Sequence, residues 1–163
     1  IKNDYEFTSQ NLSCLQEMLD FLQNDLPDNI RFEVMKKIML VAAMEQKENR
    51  NSFLPAEFMK TCRKLTSGEI VLLLKTYDIS KNLEKWKSIS EWNANQWLDF
   101  MSKESGLKYK QLVEIHEEGL IKRKLITPRG YNDKSGIILS EHFRLTDYGF
   151  ELCEFISAYP ESL

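Results

Sequence analysis

Leu12, Leu15, Leu19, Leu22 and Leu26 recur at steps of three and four residues, the period of one face of an α-helix and not the alternation of a strand. Thr8 to Leu26 is therefore predicted to be an amphipathic helix, with Thr8 or Ser9 available as N-cap. Pro27 stops it, and Asp28 can cap a second helix in which Ile30, Val34, Ile38 and Val41 form a stripe widened by Met35, Met39 and Ala42. So broad an apolar face predicts a central position. Lys47 to Ser52 is polar and reads as a loop, after which Pro55 suits the first turn of a short helix carrying Phe58, Cys62 and Leu65.

Thr66-Ser67-Gly68-Glu69 matches the capping box that opens a helix, here one running through Ile70, Leu73, Leu74 and Tyr77. Asp78 to Ser88 is the least regular stretch, with Leu83, Trp86 and Ile89 expected to be pinned to the core. Ser90, followed by Asn93 to Gln96, starts a fifth helix with Trp92, Trp97, Phe100 and Met101 inside and Gly106 as its stop. A sixth runs from about Lys108 to Glu118 and ends at Gly119.

Beyond Gly119 the pattern becomes extended. Leu120 to Ile126 and Ile137 to Leu145 flank the turn-rich Thr127 to Gly136, and Ile137, Leu139, Phe143 and Leu145 share one face interrupted by Glu141. This predicts a half-buried β-hairpin. Thr146 then caps a last helix that turns Phe150, Cys153, Phe155 and Ile156 inward. Helix, helix, hairpin, helix is the order of a winged helix. The expected fold is mainly α: about four N-terminal helices over residues 1–89, packed on a winged-helix-like part over 90–163 with one hairpin, forming one compact unit.

The 163 residues suit a single domain of roughly 100–200. Ile stands at the first position, and the chain is read as a fragment of a longer protein. The most apolar run, Ile38 to Met44, is far shorter than a membrane span needs. Cys14, Cys62 and Cys153 are odd in number, widely spaced and set among apolar neighbours, which suits buried thiols in a reducing compartment; a cytoplasmic location is expected.

A formal net charge of -3 excludes a general attraction to nucleic acid or anionic lipid. The charge is nevertheless polarised along the chain. Lys103 to Lys134 holds eight bases against five acids, whereas Ile1 to Glu48 holds five against nine. A wing bearing Arg123, Arg129, Lys134 and Arg144, beside a helix that begins near Lys108 and Lys110, would place these six cations toward a phosphate backbone. Glu114, Glu117 and Glu118 on the same helix oppose that reading, and base-specific readout is disfavoured.

Candidates for chemistry are sparse. His116 and His142, the only histidines, have no partner at metal-ligand spacing; the first is expected to be partly buried in a helix and the second outward-facing on a strand. No thiol has a neighbouring His with Asp or Asn, the carboxylate pairs lie at helix ends, and the six glycines are scattered among caps and turns. No catalytic, metal or cofactor-binding residue is assigned, and no cofactor is expected. Trp92 and Trp97 are five positions apart, about 140° around a helix, so one of them is available to a protein interface.

Three segments resemble the Abi-alpha-like family, bacterial proteins linked by name to abortive infection. They are IRFEVMKKIMLVAAM at Ile30 to Met44, FLPAEFMKTCRKLTSGEIVLLL at Phe53 to Leu74, and FRLTDYGFELCEFI at Phe143 to Ile156. The resemblance implies a bacterial role, non-enzymatic or undetermined, in the response to phage, attached to another segment in the full protein, and supplies no active-site residues. The expected function is a regulatory or protein-interaction domain, acting on a protein partner or on itself without a membrane. The alternative is nucleic-acid binding through the basic wing.

Overall fold

A computed structural model of the chain describes residues 9–24, 28–44, 53–86, 92–128 and 142–160. Among these, the regular elements are seven α-helices: α1 Ser9–Asn24, α2 Asn29–Met44, α3 Leu54–Lys64, α4 Ser67–Lys81, α5 Ala94–Glu104, α6 Lys110–Lys122 and α7 Asp147–Ser157. The chain divides into two compact units, one made of Ile1–Ser67 with Glu154–Leu163 and the other of Gly68–Cys153.

In the first unit α3 packs against both α1 and α2. Pro55 lies in the first turn of α3, as its fixed φ favours, and Phe58, Met59 and Cys62 are buried. Phe58 meets the ring of Phe155 at 5.3 Å. Burial pushes the Cys62 thiol up to about 12, so it stays protonated and inert.

The buried residues of α1 are Cys14, Met18 and Phe21, while Leu12, Leu19 and Leu22 remain exposed. The leucine stripe is thus not the face that docks. Cys14, Met18 and Phe21 carry the apolar burial, and the polar contacts agree with that rotation: Arg63 at the end of α3 reaches Glu17 at 3.4 Å and Asp20 at 3.7 Å, and Arg31 of α2 lies over the Phe21 ring at 5.2 Å. Along α2, Val34, Met35, Ile38, Val41 and Ala42 are buried, but Ile30 is exposed.

Asp28 caps α2 as its position predicts, accepting the Arg31 backbone N–H at 2.9 Å. It also accepts the Ser67 hydroxyl at 2.7 Å and the Arg31 side chain, so one carboxylate ties the start of α2 to the first residue of α4.

In the second unit α4 is enclosed on most sides, burying Glu69, Ile70, Leu72, Leu73, Thr76 and Ile79. Gly119 does not end α6, which continues to Lys122. A methyl group there would overlap the Glu69 carboxylate, and one at Gly68 would overlap the His116 ring. Each helix therefore offers a notch to a side chain of the other. Asn93 and Gln96 form a reciprocal capping box at the start of α5, both bonds 2.9 Å, and Gly106 closes the helix at φ 74°.

The expected β-hairpin is not present: the described residues contain no β-strand. Leu120 to Lys122 completes α6, Lys124 turns the chain at φ 59°, and Ile126 and Leu145 meet in an isolated antiparallel bridge, as do His142 and Leu145. Residues 129–141, which would carry the tip of the wing, lie outside the described residues. Phe143 at φ 59° breaks the alternation that a strand requires, so Phe143, Arg144 and Leu145 are all buried in succession. The winged-helix assignment falls with the hairpin, and mainly α stands. Thr146 caps α7 by accepting the Gly149 N–H at 3.0 Å, and Leu152, Cys153 and Ile156 face inward.

The Asp28 cap makes stability depend on pH. Burial pulls its carboxyl upward, but the Arg31 amide, the Arg31 guanidinium and the Ser67 hydroxyl together outweigh this and hold it below the usual carboxylate range. Its stabilisation is present above about pH 4, the unfolded value, and is lost as pH falls through the folded value. In urea unfolding, Asp28→Ala is expected to be about 1 kcal/mol less stable than the parent at pH 7. That difference should shrink as pH falls below about 4; a difference that stays constant down to acid pH would contradict the assignment.

Candidate functional site

The second unit contains the polar cluster that organises its helices. Trp97 on α5 is fully buried, and its indole N–H donates to Glu117 Oε1 of α6 at 2.7 Å. Arg144 donates to the same oxygen through Nη1 and to the Thr127 carbonyl through Nη2 at 2.7 Å. Its guanidinium carbon lies 5.4 Å from the centre of the Trp97 ring, which also meets Phe143 at 5.6 Å. Arg144 is only 1% exposed. It neutralises an interior glutamate and is not placed to meet a phosphate.

The other expected cations divide. Lys110 is held by Asn95 at 3.0 Å and Asp99 at 3.7 Å, and Arg123 by Glu69 at 3.6 Å and the Gly119 carbonyl at 3.3 Å. Lys103 and Lys110 keep the Asp99 carboxyl below its usual range. Lys108 is exposed at φ 72°, with its ammonium 5.5 Å from the Tyr109 ring. Arg129 and Lys134 lie outside the described residues. Lys110, Arg123 and Arg144 are thus engaged by acids of the chain itself.

The tryptophans separate, but not through helical spacing, since Trp92 precedes α5. Trp97 is interior, which removes it as an interface residue, whereas Trp92 is half-buried and meets Phe100 edge-on at 5.0 Å. Trp86 approaches the same ring at 5.0 Å, so Phe100 anchors both. His116 is half-buried against Gly68, and His142, with 28% of its side chain exposed, stacks flat on Phe150 at 4.0 Å and lies 3.5 Å from Asp147. Among the described residues no three of His, Cys, Asp and Glu converge as metal ligands.

The feature that residue-by-residue reading misses is the outer face of α6. Val113, Glu117 and Leu120 are buried, while Tyr109, Leu112 and Ile115 are 56%, 37% and 59% exposed. A step of three places Leu112 and Ile115 on one slanting ridge, and Tyr109 precedes it as the extended N-cap residue. Isolated exposed apolar residues are ordinary, but a contiguous row suits a partner surface. The signal was present in the sequence as a second apolar period on the helix, hidden by attention to its charges.

Because the guanidinium compensates a buried carboxylate, removing it should cost more than an ordinary surface substitution. Arg144→Ala is expected to destabilise the protein by about 3–5 kcal/mol. Guanidinium chloride unfolding measures this, and a loss below about 1 kcal/mol would place Arg144 in water.

Comparison of the chain with protein-family models, with curated proteins and with solved structures gives no match, so the functional reading rests on its own residues.

Proposed function

We propose that this domain is a non-enzymatic protein-interaction or regulatory module, acting in the cytoplasm, that receives a protein partner on the outer ridge of α6. The observation that carries the reading is the exposure of Leu112 and Ile115 on α6, whose other face is used in packing, together with that of Tyr109 at the N-cap. Tyrosine supplies contact area with little loss of side-chain freedom, as binding anchors generally do. Lys108 beside it, and exposed Glu118 and Lys122 further along, supply a polar rim. No described helix is long and apolar enough to cross a membrane, which agrees with a protein partner. The resemblance to the Abi-alpha-like family favours a role in the response to phage. Nucleic-acid binding draws less support, since Lys110, Arg123 and Arg144 are committed within the unit.

A photo-crosslinking residue at position 112, compared with one at the exposed Glu151, tests the reading in bacterial cells expressing the protein. A discrete adduct is expected from 112 and not from 151, and Tyr109→Ala should weaken the captured association about tenfold. Equal labelling from both positions would contradict the reading. So would binding of a labelled DNA duplex below about 10 μM at physiological salt.

A further inference from the structure

We propose that α1 pairs with α1 of a second copy of this chain along a leucine seam. Leu12, Leu15, Leu19 and Leu22 follow steps of three, four and three, the spacing of the core positions of a two-stranded coiled coil. Leu12, Leu19 and Leu22 are 53%, 43% and 44% exposed, and Leu15 is part-exposed. The face already docked, Cys14, Met18 and Phe21, lies about 110° round the helix from this row. One helix thus has two apolar faces, and packing within the described residues uses one.

The charges on α1 favour a second copy over a different partner. Gln16 and Gln23 border the seam on one side and Asn11 and the buried Met18 on the other, so no described charge stands beside it. Glu17 and Asp20, the acids of the helix, are turned toward Arg63. Like charges flanking a seam oppose self-pairing, and charged flanks select a partner of opposite sign. Among the described residues the border of this row of identical leucines is uncharged, which makes it complementary to itself, as a two-fold interface requires; Asp25, next on the Met18 side, lies outside the described residues. α1 spans 16 residues, about 24 Å. A single helix pair of that length lies at the small end of specific interfaces, so a dissociation constant of about 10–100 μM is expected.

Sedimentation velocity of the whole chain, from about 5 to 500 μM in steps that bracket such a constant, tests the inference. The expected result is a mass rising from 19.2 kDa toward twice that value, with Leu19→Glu remaining monomeric throughout. Circular dichroism and melting temperature report whether the variant is folded. Leu12→Gln, at the most exposed leucine of the seam, is the milder second variant and should weaken association at least about fivefold. A parent that stays monomeric at the highest concentration would overturn the inference, as would folded Leu19→Glu and Leu12→Gln variants that associate like the parent. Association abolished by Leu112→Glu but not by Leu19→Glu would overturn the α1 seam while leaving the α6 reading in place.

Discussion

Glu117 is a carboxylate in the interior of the second unit, and the arrangement of that unit depends on its compensation. One of its oxygens receives both the Trp97 indole and the Arg144 guanidinium. Taking two charges out of water costs several kcal/mol per ion even after relaxation, so such a pair adds little net stability over an apolar substitute. Its effect is on geometry. Trp97 comes from α5, Glu117 from α6 and Arg144 from the turn before α7, and Glu117 Oε1 receives both donors only when all three segments stand in one register. The rotation of α6 that points Glu117 inward also turns Leu112 and Ile115 outward.

Helices, caps and breakers were legible in the sequence because they are local chemistry. Asp28, Pro55, Gly106 and Thr146 each act where their residue types predict, whereas α5 opens behind Asn93 with Gln96 and not at Ser90. Which face of a helix turns inward was less legible, because it depends on partners distant in sequence. In α1 the four leucines outnumber the buried set, yet Cys14, Met18 and Phe21 dock, with Glu17 and Asp20 turned toward Arg63, far along the chain. Gly119 reads as a helix stop in isolation and proves to be a notch for Glu69. The hairpin failed because alternation was assumed through Phe143, whose positive φ carries Arg144 inward.

The same reversal accounts for the candidate site. A basic count along the chain measures charge but not its compensation, and four of the relevant acids, Glu69, Asp99, Glu117 and Asp147, occupy helices facing these cations or His142. Lys108, Lys122 and Lys124 remain exposed, as do the apolar Leu112 and Ile115 and the ring of Tyr109. The two surfaces left by packing, the α6 ridge in one unit and the α1 seam in the other, both suit protein contacts, and neither competes with the interior network.

The most direct test of this account is hydrogen exchange of the Trp97 indole N–H, followed by NMR with the three tryptophan resonances assigned by substitution to phenylalanine. The account requires the Trp97 proton to exchange only through global unfolding, orders of magnitude more slowly than that of half-buried Trp92. A Trp97 proton that exchanges as quickly as Trp92's would mean that the Glu117 network is open to water and does not set the orientation of α6.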